Sequence, residues 1–154
     1  SEGGMLLKNI SYVPKSNKIW ITLNLPSFPK FKNYDMTQLR SFNFEHFPRR
    51  VIMMKALIVR REESDNNLSD LFEIRGGVRF SDIAKHDQQL INEYVATCAS
   101  NLIFLQTLID TISSDKNNLE KTRILSFILG YEPDEKISLL RKNVLIDYKS
   151  LQWN

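Results

Sequence analysis

Residues 82–113 read DIAKHDQQLINEYVATCASNLIFLQTLIDTIS, and the spacing within this stretch sets the class of the whole chain. Ile83, Leu90, Ile91, Tyr94, Val95, Cys98, Leu102, Leu105, Leu108, Ile109 and Ile112 recur at steps of three and four. That period is the apolar stripe of an amphipathic helix. Ser81 stands where an N-cap is wanted, so the helix is expected from Asp82 to about Ser113. At a rise of about 1.5 Å per residue it is long for a small domain.

Downstream, residues 114–118 are polar, and Asn117 with Glu120 resembles a capping pair for a second helix. That helix is expected to run to Leu129 and stop at Gly130. Pro133, followed by Asp134 and Glu135, suits the first turn of a third helix ending near Leu151. Its Ile137, Leu140, Val144 and Tyr148 share one face.

Upstream the period changes. Ile19, Ile21, Leu23 and Leu25 alternate with Trp20, Thr22 and Asn24, the pattern of a half-buried strand. With the apolar residues from Leu6 to Val13 and the Pro/Ser/Asn cluster between them, residues 6–25 are expected to form a β-hairpin. Pro26 and Pro29 end the ladder, because proline has no N–H to donate. Residues 26–48 are rich in aromatics without a period; a short helix capped by Asp35 is expected, and the segment should be packed down. Val51–Val59 is apolar on both strand faces apart from Lys55, and its turn-forming flanks favour a strand over a helix. Residues 68–74 suggest a short helix or strand, stopped by Gly76-Gly77, and Val78-Arg79-Phe80 a last short strand. The expected fold is therefore α+β: a small antiparallel sheet from the N-terminal half, packed with a three-helix C-terminal half.

The chain has 154 residues, 42% of them hydrophobic and 25% charged, which suits one domain. Residues 1–4, Ser-Glu-Gly-Gly before a methionine, have the look of a tag remnant, leaving 5–154 as a single domain. No uninterrupted apolar window of about 18 residues is present, so no membrane partner is expected. A single cysteine, Cys98, forms no internal disulfide, which points to a reducing, intracellular setting in cytoplasm or nucleus. The net charge of +3 is uneven: 13 Lys/Arg face 8 Asp/Glu over residues 1–80, against 8 and 10 over the remainder.

No catalytic or cofactor motif emerges, and no enzyme activity, cofactor or metal is expected. His46, His86 and Cys98 are isolated, short of the three or four converging ligands that zinc needs. Cys98 lies on the apolar stripe, where burial raises a thiol pKa and makes it a packing residue rather than a nucleophile. Gly76-Gly77 before Arg79 and Ser81 resembles a phosphate cradle only weakly, without the Lys-Ser/Thr of a P-loop. What remains is binding. The function expected first is a protein-interaction or assembly subunit of an intracellular complex, with a homo- or hetero-oligomeric partner. Tyr94, Leu102 and Leu105 on the long helix, with Tyr148 and Trp153 at the C-terminal end, are its expected contacts. The alternative is an accessory nucleic-acid binder using Lys30, Phe31, Lys32, Arg49, Arg50, Arg60 and Arg61, aromatics for bases and cations for phosphates.

Overall fold

The computed structural model describes residues 3–7, 15–62, 75–112 and 116–152. The chain divides into two compact units, one from Ser1–Leu25 with Arg50–Ile91, the other from Pro26–Arg49 with Asn92–Trp153.

The first unit holds the sheet, apart from the strand-end residues Pro26 and Arg49: β1 (Gly4–Leu7), β2 (Lys18–Pro26), β3 (Arg49–Glu62) and β4 (Arg75–Ser81), in the order β1-β4-β3-β2. Both pairs made by β4, with β1 and with β3, are antiparallel. Strand β2 keeps the expected alternation, with Ile19, Ile21, Leu23 and Leu25 half-buried and Trp20, Thr22 and Asn24 exposed. In β3 the same period is sharper. Ile52, Met54 and Ala56 are buried, while Val51, Met53 and Lys55 between them are exposed.

The hairpin expected over residues 6–25 does not form. Strands β1 and β2 lie at opposite edges of the sheet, and β1 pairs Gly4–Leu7 with Arg79–Gly76 of β4. Gly4 explains part of this choice, because a Cβ there would overlap the Val78 carbonyl oxygen. Gly3, set aside from sequence as part of a tag remnant, accepts a hydrogen bond from Phe80 N–H at 2.9 Å. Nor do Gly76 and Gly77 make a turn. Both lie inside β4, paired with Leu7 and Leu6 on one side and with Arg61 and Arg60 on the other. Their backbone belongs to the ladder, so they form no phosphate cradle. The short element expected over residues 68–74 lies outside the described residues.

The second unit is helical. Helix α1 (Met36–Arg40) starts at Asp35 with a full capping box: Gln38 N–H donates to Asp35 Oδ1 at 2.8 Å, and Asp35 N–H to Gln38 Oε1 at 2.9 Å. Helices α2 (Lys85–Thr111), α3 (Lys116–Ile128) and α4 (Ile137–Gln152) follow; the boundary between the two units falls within α2. Three expected helix starts move. Helix α3 begins at Lys116, which puts Asn117 inside the helix rather than at its cap. Strand β4 continues through Ser81, and Asp82 turns the chain with a positive φ of 52°, so α2 begins at Lys85. Pro133 and Asp134 form a turn, so α4 begins four residues later, at Ile137.

The core of this unit gathers Leu102, Leu105, Leu108 and Ile109 from α2, Leu125 and Ile128 from α3, and Leu140 and Val144 from α4. Phe31 and Leu39 complete it. The aromatic stretch is packed down as expected. Phe42 is ringed by Phe31, Phe44 and Phe47 at centroid distances of 5.0, 4.8 and 5.0 Å. Asn101, 1% exposed in mid-α2, holds this stretch in place. Its Oδ1 accepts from Phe31 N–H at 3.0 Å and its Nδ2 donates to Pro29 O at 2.9 Å.

Candidate interaction face

The site that stands out is the outward face of the sheet. Antiparallel partners directly opposite each other point to the same side, so the register assigns the face. Lys55 opposes Ser81, Leu57 opposes Arg79, and Arg79 opposes Gly4. Val51 and Met53 precede Lys55 by four and two residues, which puts them on that side as well. Strand β2 is tied to the same side by Lys55, whose Nζ lies 5.4 Å from the centroid of the Trp20 ring.

A bulge extends the face. The register steps from Ile58↔Val78 to Arg60↔Gly77, leaving Val59 without a partner on β4. Val59 and Arg60 are consequently both exposed. Gly77 takes up the crowding opposite the bulge, since a Cβ there would lie 3.1 Å from Arg60 Cβ. Beyond it, Leu6 of β1 joins the same face through its pairing with Gly77.

Five large apolar side chains thus stand on one side of one sheet: Trp20 at 68% exposure, Met53 at 66%, Val51 at 63%, Val59 at 59% and Leu6 at 52%. Among them lie Lys55 and Arg79, and Asp82 just past β4 is 3.8 Å from Lys55. Chemically this face offers apolar area and positive charge.

The residues singled out from sequence fare differently. Leu102 and Leu105 are 7% and 0% exposed, so the stripe of α2 is core and presents neither side chain to a partner. The steps of three and four that suggested a binding face are the same steps a core demands. Tyr94 and Tyr148 are half-buried: Tyr94 packs on Phe28 at 5.8 Å, and the Tyr148 hydroxyl accepts from Gln152 Nε2 at 2.7 Å. Trp153 lies outside the described residues. Of the nucleic-acid set, Phe31 is 0% exposed and cannot stack on a base. Lys30, Lys32, Arg49, Arg50 and Arg60 are exposed, and the side chain of Arg61 lies outside the described residues. Lys30, Lys32 and Arg49 belong to the second unit and Arg50 and Arg60 to the first, so the set is not drawn from one unit.

Cys98 is half-buried, and burial pushes its thiol pKa up; a hydrogen bond with the neighbouring Tyr94 hydroxyl offsets this in part. Burial likewise raises the Tyr94 hydroxyl, with Cys98 adding to the effect. Among the described residues no three His, Cys, Asp or Glu side chains gather as a metal-binding group, and no helix is long and apolar enough to cross a membrane.

The sequence held a signal for the sheet face that residue-type motifs pass over. Trp20 falls on the polar side of a clean alternation, and Val51–Val59 is apolar on both faces. An antiparallel sheet with one covered face leaves the second apolar set of such a strand in solvent. Comparison of the chain with protein-family models, with curated proteins and with solved structures finds no match.

Proposed function

We propose that this protein is a non-enzymatic interaction or assembly subunit that meets a protein partner, a second copy or a different chain, through the outward face of its sheet. The observation that carries this reading is the group of five apolar side chains on that face, each more than half exposed. Exposed apolar residues scattered over a molecule are ordinary, whereas five on one face of one sheet point to a surface that another body covers. Covering a Val- or Met-sized side chain is worth roughly 1.5–3 kcal/mol. Cover over several of them offsets much of the entropy lost on association.

A second reading, an accessory nucleic-acid binder, draws on the ammonium of Lys55 over Trp20 and on Arg79, two strands from Trp20 on the same face. An aromatic flanked by cations is the grip used on single strands. It ranks below the first because Val51, Met53 and Val59 have aliphatic side chains, which gain little beside phosphates or bases.

The test measures the mass of the purified protein and of complexes drawn from native extract, in about 0.1 M and about 1 M salt, with and without nuclease. The wild type should form an assembly that persists in high salt and survives nuclease, and Trp20→Asp with Met53→Asp should dissolve it. Loss of the bound partner to salt or nuclease would transfer support to the second reading. A monomer that retains nothing, or an assembly indifferent to both substitutions, would end the first.

A further inference from the structure

The second unit carries a cleft that the sheet face does not explain. It has a volume of about 600 Å³ and lies between α1 with the segment after it and α3. Leu39 and Phe42 line one wall, Ile124 and Phe127 the other. Phe127 is 66% exposed, so the cleft is open along one side.

Charge on its walls has a single sign. Arg40 and Arg123 are its charged residues, and no carboxylate lines it. Arg40 is paired with Glu120, which lies outside the lining. Arg123 is half-buried, and its Nη1 donates to the backbone carbonyl of Glu135, a neutral acceptor. The Glu135 side chain accepts from Asn143 Nδ2 at Oε1, 2.7 Å away, and its Oε2 is buried without a hydrogen-bond partner among the described residues. Arg123 therefore donates to a neutral carbonyl and forms no ion pair with a described carboxylate. A half-buried cation outside any ion pair, beside apolar walls, favours an occupant with an apolar body and an anionic group.

We infer that this cleft is a docking groove for an acidic polypeptide segment that seats apolar side chains against Phe42, Ile124 and Phe127 and sets a carboxylate against Arg123. An open groove favours a polypeptide over a free amphiphile. Small ligands are held where most of their surface is buried, and a trough with an exposed phenylalanine at its rim leaves one side of its occupant in water. A helix or extended segment tolerates this, because only one of its faces binds.

The experiment pans a random library of peptides about 12 residues long on the wild-type protein, with counter-selection on Phe127→Asp. The enriched peptides, fluorescently labelled, are then titrated by anisotropy. Enriched sequences should combine Asp or Glu with aromatic or large aliphatic residues. Phe127→Asp, at an exposed position, should weaken binding about tenfold or more. Arg123→Glu should weaken the acidic peptides, and replacing their carboxylate by lysine should recover binding to that variant; a merely structural role for Arg123 gives no such rescue. Trp20→Asp should leave these affinities unchanged, which separates the groove from the sheet face. Enrichment of peptides without acidic residues, equal binding to Phe127→Asp, or Arg123-dependent binding of dodecanoate with no peptide enriched would each overturn the proposal.

Discussion

Asn101 shows how one polar residue reads differently in sequence and in structure. Along the stripe of α2 it is an interruption; in the fold it clamps Pro29 and Phe31 with two hydrogen bonds. Asn101→Ala strands a buried N–H and a carbonyl, each costing about 1–3 kcal/mol when unpaired. The expected outcome is a loss of about 2–4 kcal/mol in urea-induced unfolding, and a loss below the cost of one such group would refute the clamp. Cys98 offers a second check. Because burial raises its pKa, its thiolate is scarce near neutral pH. Native protein should react with a thiol reagent well below the rate of the urea-unfolded chain, and faster native labelling would restore the nucleophile reading. The raised pKa of Cys98 was legible from its place on the stripe, although its side chain is half-buried rather than buried. The role of Asn101 was not, because its partners lie some 70 positions away in the chain.

At the scale of elements, two neighbouring methionines in β3 report the two faces of the sheet. Met54 is 1% exposed and Met53 66%. Met54→Ala should cost about 2–5 kcal/mol by opening a cavity, and Met53→Ala should stay within about 0.5 kcal/mol. Chemical denaturation of the two variants compares them directly, and equal losses would contradict the assignment of faces. Helix α3 ends at a signal visible in sequence. Gly130 has a φ of 89°, its N–H donates to Phe127 O at 3.0 Å, and Tyr131 N–H donates to Ser126 O at 2.9 Å. Gly130→Ala should lower stability by about 1 kcal/mol, read as a fall in melting temperature. The caps at Asp35 and Gly130 could be read because capping is settled within a few residues. Strand partners could not, since β1 meets β4 across more than 60 intervening residues.

For the molecule as a whole, alkaline pH probes the buried hydroxyls. Tyr94 and Tyr131 both have pKa values raised above the ordinary tyrosine value, chiefly by burial. For Tyr131 the hydrogen bond to Asp147 Oδ2, at 2.7 Å, adds to the effect. Both hydroxyls stay neutral in the fold while the unfolded chain ionises at about pH 10. Their contribution is therefore complete below that pH and declines as pH rises past it, because the unfolded state alone gains from losing the proton. Melting temperature should fall above about pH 10, and Tyr131→Phe should fall less steeply over the same range. A variant with the wild-type slope would remove Tyr131 from the account.

Local sequence pattern was enough to establish an α+β chain, the strand over β3, the three C-terminal helices, the Asp35 cap of α1 and the Gly130 stop of α3. Those features depend on neighbours within one or two turns, which the amino-acid order supplies. The tertiary structure alone decided which apolar face is covered. The stripe of α2 and the second face of β3 are both apolar in sequence, yet Leu105 is buried in a core and Met53 stands in solvent. Burial is a property of what a distant segment brings alongside, and no spacing within a single element encodes it.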